Sequence, residues 1–266
     1  MRESDGPRAR TPRGFGALGA VAALFLALPV VGLVLRAPWG SLGDRLSRPG
    51  VGEAIRMSAL CATAATVLAL LLGIPLGWLL AGDRIPGRAL LRAVVLVPLL
   101  LPPLVSGIGL LSVLGRRGMA GKWLDRWFGV TLPFSTTGVV VAVTFVALPF
   151  VVITMESGFR SLDRRLVGAA STLGAGPGAA TRTVTLPLVA PSLAASAALA
   201  WARSLGEFGA TVTFAGNLPG RTQTLPLATF LALETDLDQA VLLSMLLLAP
   251  TIAVLLLLRN RWRPAL

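Results

Sequence analysis

Six stretches of this chain are each long and apolar enough to cross a lipid bilayer, and that alone decides most of what it can fold into. They lie at about 15–35, 57–81, 89–114, 133–156, 186–214 and 238–258. A helix needs ~20 such residues to span the hydrocarbon core. Backbone polar groups at that depth must be satisfied internally, so each stretch is predicted to be helical. Charged residues make up only 14% of the 266, against about 25% in soluble domains. The expected fold is all-α and polytopic: a basic tail at 1–14, a membrane domain over 15–258 and a second basic tail at 259–266. The first run, 14–35, is longer than the usual core of a secretory signal, about 7–15 residues. The "LRAPWG" after it is a poor cleavage site, so a retained span is expected.

The net charge is +12, almost all of it arginine; Lys122 is the only lysine. A basic excess can mark nucleic-acid binding. Here the arginines flank the apolar runs, so anchoring and topology account for them. Lipid is the expected partner, and nucleic acid is not. With the N-terminus in the cytoplasm, fourteen arginines fall on the inner side: Arg2, Arg8, Arg10, Arg13, Arg84, Arg88, Arg92, Arg160, Arg164, Arg165, Arg182, Arg259, Arg261 and Arg263. Nine basic residues fall outside, which favours cytoplasmic termini.

Catalytic chemistry has little to stand on. Histidine is absent, which removes histidine-type zinc sites and any Ser-His or Cys-His pair. Cys61 is the single cysteine and cannot form an internal disulfide; it reads as a small packing residue. No metal site and no catalytic residue is expected. The sole lysine lies in "GKW", so the chain lacks a G-x-x-x-x-G-K-[ST] phosphate loop. No cofactor is expected on this chain, and if ATP is used, another subunit must bind it.

Four features call for explanation. "VPLLLPPLVSGIG" (97–109) puts Pro98, Pro102 and Pro103 in the third span, where each removes a helical amide donor. Pro102 and Pro103 are candidates for a bent helix beside a pathway. "GRRGMAGKWLDRWFGV" (115–130) interleaves aromatic and charged residues, as a helix lying flat at the interface would. "WARSLGEFGATVTFAGN" (201–217) places Arg203 and Glu207 four apart, on one face of a helical fifth span. A lone charge there costs about 2.5 kcal/mol or more, so the two are expected to pair or to face a pathway or gate. Last, "LVGAASTLGAGPGAATRTVTLPL" (166–188) is a soft segment of small residues between two spans, flanked by Arg164 and Arg165 and containing Arg182. Alanine favours a helix over 166–173, which Gly174, Gly176, Pro177 and Gly178 should stop.

This last segment resembles the cytoplasmic loop of permease subunits in ATP-binding-cassette importers. That loop reads Glu-Ala-Ala, three residues, Gly, nine residues, Ile, any residue, Leu-Pro. Here Gly168-Ala169-Ala170, Gly174 and Val184-Thr185-Leu186-Pro187 keep every gap, with Gly168 replacing the acid and Val184 the isoleucine. "RSLGEFGATVTFAGNLPGRTQTLPLA" (203–228) is similar to the fifth-span and outer-loop signature of oxyanion permeases, and the segments at 97–111 and 115–129 to their molybdate branch. The resemblance covers about 50–258. It implies a type I importer: a homodimer of this chain, two ATPase subunits using ATP and Mg, and an external oxyanion-binding protein that supplies selectivity. Segment 160–186 would be the coupling loop, with Arg164, Arg165 and Arg182 facing acids on the ATPase. The cargo would be molybdate or tungstate, with sulfate or thiosulfate as the alternative. An ion-coupled secondary transporter also fits the proline-broken third span and the Arg203–Glu207 pair.

Overall fold

The computed structural model describes residues 13–82 and 85–258. Arg2, Arg8, Arg10, Arg84, Arg259, Arg261, Trp262 and Arg263, and with them most of both basic tails, lie outside the described residues. Thirteen α-helices follow in order among those described: α1 (Arg13–Arg36), α2 (Leu42–Leu46), α3 (Val51–Ala81), α4 (Arg88–Leu100), α5 (Pro103–Leu114), α6 (Gly121–Phe128), α7 (Thr136–Arg160), α8 (Arg164–Thr172), α9 (Pro177–Ala180), α10 (Leu186–Leu205), α11 (Gly209–Ala215), α12 (Leu225–Thr235) and α13 (Leu237–Leu258).

Helices α3 and α7 form the core. They run parallel, with Cys61 and Ala65 against Val139 and Val143 near one end and Gly73 and Gly77 against Val151 and Met155 towards the other. A Cβ on Gly73 would lie 2.7 Å from a Val151 methyl, so this close approach requires glycine. In lipid there is no hydrophobic drive between helices, and such small-residue packing replaces it. Helix α10 runs antiparallel along the pair, Val189 and Ala200 joining Ala69, Ala147 and Met155.

Because α3 and α7 are parallel, the chain between them must return across the membrane. The helices available are α4 and α5, whose axes meet at 117°. Five continuous helical stretches are long and apolar enough to cross, and this bent pair makes a sixth crossing. The single helix expected over 89–114 is therefore two. Leu101 and Pro102 have ψ of 135° and 136°, because a residue before proline is driven from the helical region to the extended one.

Four other expectations need correction. The helix expected from 57 starts at Val51, after Gly50 at φ 86°, so it carries Glu53 and Arg56 beyond the apolar stretch. The one expected to stop at Glu156 continues to Arg160, because arginines neutralise Glu156. Its start is set by Ser135, whose hydroxyl accepts the Gly138 N–H at 3.0 Å. The helix expected over 186–214 ends at Leu205 and resumes as α11. The stretch read as an outer loop contains α12, which packs on α13 and α3 and whose first amide donates to Ser58 Oγ at 2.7 Å.

At the end opposite α8, Arg45 bonds Asp236 at 3.0 Å and Asp238 at 3.1 Å, and Arg48 bonds Asp236 at 2.8 Å. This clasp ties the segment after α1 to the head of α13. The Asp236 carboxyl is held below the usual carboxylate range, first by Arg48, then by the Gln239 N–H and Arg45. With the folded value depressed, the clasp contributes fully above the unfolded value of about 3.9 and is lost as pH falls beneath it. Thermal unfolding of wild type and Asp236→Asn is expected to show a less stable variant near neutrality. The gap should narrow below about pH 4; a gap independent of pH would contradict this.

Helix α6 lies at the same end as the clasp. Trp123 and Trp127 pack with ring centroids 5.2 Å apart, and Lys122 lies 5.5 Å from the Trp123 ring. Trp127 and Phe128 are exposed, as suits a helix in the headgroup region.

Candidate functional site

Two regions hold the residues singled out by sequence. The first is the segment between α7 and α10. Asp163 starts α8 by accepting the Arg165 N–H at 2.9 Å, the side-chain cap that satisfies an orphan helix donor. Gly174, at φ 87°, ends it. The Ala175 N–H bonds Ala170 O at 3.0 Å and the Gly174 N–H bonds Ser171 O at 3.1 Å, the paired bonds of a left-handed C-terminal stop. The helix expected over 166–173 and its termination at Gly174 thus both hold. Pro177, expected to help stop it, instead opens α9, since proline fits the first turn of a helix.

After α9 comes a wide turn, Thr181–Thr185, in which the Leu186 N–H reaches Thr181 O five residues back. Turns of this kind recur at functional positions. It leads into α10, so Val184, Leu186 and Pro187 lie at the base of the segment, Val184 half-buried and the other two exposed.

The outer surface of α8 has almost no relief. Gly168 and Ala169 are exposed, and a Cβ on Gly168 or Gly174 would meet nothing within 4 Å. Leu166 is half-exposed and Leu173 is 88% exposed. Between this segment and the ends of α3 and α7 lies a hollow of about 500 Å³, lined by Trp78, Gly82, Phe159, Leu162, Pro177 and Thr181 among others. Trp78 packs edge-on to Phe159 at 4.9 Å. Arg165 and Arg182 are exposed and form no ion pair among the described residues; the Arg164 side chain is outside them. Small side chains, two apolar projections and free guanidiniums together suit a groove on an acidic partner.

The second region is where two broken helices touch. Gly209, at the start of α11, lies against the start of α5: a Cβ there would be 2.6 Å from Pro103 Cβ. Pro102 and Pro103 are exposed, and Arg203 is partly so. Glu207 is 2% exposed and lies past the end of α10, not on the same helix as Arg203. It still takes the Arg203 guanidinium at 2.6 Å. Its other oxygen accepts the Ala210 N–H at 2.9 Å, so one carboxylate closes one helix and opens the next. The four gate candidates, Pro102, Pro103, Arg203 and Glu207, thus lie at two helix breaks that abut.

Sequence reasoning missed Glu156, which is 7% exposed. It bonds Arg92, bonds Arg160 at 3.1 Å and lies 3.6 Å from Arg88. The available signal was its place as the lone acid of its apolar stretch, four residues before Arg160.

Residues 73–265 match the family described as "Binding-protein-dependent transport system inner membrane component". The chain is 44% identical over 242 residues, 90% of each sequence, to the molybdenum transport system permease protein ModB of Mycobacterium tuberculosis. It is 34% identical over 236 residues to the sulfate transport system permease protein CysT of Escherichia coli, covering 87% of this chain and 85% of that one. Its fold is similar to a chain in the crystal structure of a bacterial alginate ABC transporter in complex with an alginate pentasaccharide-bound periplasmic protein. The TM-score there is 0.69 at 17% identity, over 93% of this chain and 92% of that one.

Proposed function

Because the chain belongs to the binding-protein-dependent inner-membrane transport components, we propose that it is the permease subunit of an ATP-driven importer of molybdate or tungstate. The family and the apolar helices place it in the membrane as a multi-pass protein, and in this reading it has no catalytic chemistry of its own. The identity of 44% over 90% of the chain to a molybdenum permease, against 34% to a sulfate permease, is the observation that supports this cargo.

Two copies of the chain pair around the pathway. Two ATP-binding-cassette subunits hydrolyse ATP with Mg and dock on the α8 surface. An external binding protein delivers the oxyanion at the opposite end, beside the Arg45–Asp236 clasp and α6. Both termini then lie in the cytoplasm, on the side of α8. Gly168, Ala169, Ala170 and Gly174 form the coupling face, and Val184, Leu186 and Pro187 join it rigidly to α10. Arg164, Arg165 and Arg182 pair with acids of the ATPase. When α10 moves, the Arg203–Glu207 pair transmits the motion to α11 and so to Pro102–Pro103 on α5. Tight anion binding within the pathway would slow release, so selectivity belongs to the binding protein.

ATPase stimulation in liposomes tests this, with the cognate binding protein loaded in turn with molybdate, tungstate or sulfate. Stimulation by the first two and not by sulfate is expected. Equal stimulation by sulfate would reassign the cargo, and transport without any ATPase subunit would remove the class altogether.

A further inference from the structure

Arg92 and Arg160 share the Glu156 carboxylate, whose single charge cannot neutralise both. Glu156 is nearly buried, its side chain 9% exposed, while those of Arg92 and Arg160 remain 44% and 43% exposed. Both guanidiniums therefore have donors left over, even though Arg160 also donates to the Leu80 carbonyl at 3.4 Å. They line an open hollow of about 380 Å³ whose remaining wall includes Val95, Leu96, Val152 and Ile153. The hollow is at the end of the molecule that carries α8, since Arg160 closes α7 just before that segment. Helix α4 also leaves Leu90, Val94 and Leu100 exposed beside it.

A charged mouth on an apolar wall, at the edge of a membrane domain, has the chemistry of a phospholipid. We propose that this hollow binds an anionic phospholipid, its phosphate between Arg92 and Arg160 and its acyl chain along Val95, Leu96, Val152 and Ile153. Guanidiniums suit phosphate because their forked donors match its oxygens. Basic pockets between membrane helices hold acidic headgroups for the same reason. A free oxyanion would satisfy the arginines but leave the apolar wall uncovered. Glu156 has a positioning role: it fixes the inner edge of both guanidiniums and leaves their outer donors for the lipid.

The test uses the full-length protein in mixed micelles of phosphatidylglycerol and phosphatidylcholine in equal amounts, with retained lipid read by native mass spectrometry. Phosphatidylglycerol is expected to be retained preferentially. Arg92→Gln should lower that retention about five-fold, since each arginine at a membrane surface is worth about 1 kcal/mol. Arg92→Lys should keep most of it, and Arg92→Gln/Arg160→Gln should abolish the preference. Excess inorganic phosphate should leave it unchanged. Equal retention of the two lipids by wild type, as when a second protein chain covers the hollow, overturns the proposal. So does displacement by inorganic phosphate, which would mark a free-anion site, or undiminished preference in the double variant. Should the double variant fail to fold, the wild-type preference and the phosphate competition decide alone.

Discussion

Glu207→Ala is expected to abolish uptake and to destabilise the membrane domain by about 3 kcal/mol, the scale for removing one partner of a buried ion pair. The carboxylate has two tasks. It neutralises Arg203 at 2.6 Å and caps α11 through the Ala210 N–H. Glutamine keeps an oxygen for the amide and loses the charge, so Glu207→Gln should be about 1 kcal/mol less damaging, the worth of a side-chain cap. Arg203→Gln/Glu207→Gln removes both charges. It should recover stability relative to Glu207→Gln, since no lone cation is left. Uptake should remain at least tenfold below wild type if the charged link between α10 and α11 drives the gate. The measurements are thermal unfolding in detergent and uptake in proteoliposomes. Full uptake by the double variant would show that the pair is structural only.

Gly174→Val is expected to uncouple ATP hydrolysis from uptake while barely moving the melting temperature. At φ 87°, a β-branched side chain is a genuine outlier, and the left-handed region costs roughly 1–2 kcal/mol for residues with a Cβ. Yet a Cβ there meets nothing within 4 Å. The strain is therefore released by loosening the turn after α8, not by disturbing the packed helices. Gly174→Asn separates two causes. Asparagine tolerates this conformation, so it should preserve coupling if the turn matters and lose it if only smallness does. We expect most coupling to persist in Gly174→Asn. Normal transport by Gly174→Val at normal expression would show that the turn does not transmit force.

The readable and unreadable parts of the proposed coupling surface divide on a physical line. Its helix and its stop were legible because alanine content and a glycine at the left-handed position act over a few residues. The hollow beneath it was not, because Trp78 and Phe159 are far apart in sequence and meet only when α3 and α7 lie side by side. Pro177 was misread for a related reason: proline both ends helices and begins them, and only the chain on either side decides which. Glu207 shows the same limit. Its spacing from Arg203 signalled the pair, and the pair exists, but the break between them came from the carboxylate capping α11 and from Gly209 against Pro103.

What the sequence determined by itself was the solvent and the secondary structure. Runs of apolar residues must enter lipid, and lipid leaves a single chain segment little choice but a helix. The spacing of Gly168, Ala169, Ala170, Gly174, Leu186 and Pro187 likewise marked the segment that we propose meets a partner. Only the tertiary structure decided which charges meet between helices. Glu156 with Arg88 and Arg92, Asp236 between Arg45 and Arg48, and the abutment of α5 on α11 all join residues distant along the chain. Hydropathy is a property of a local window. Charge neutralisation in a low-dielectric medium depends on distances of a few ångströms, which exist only once the helices have packed.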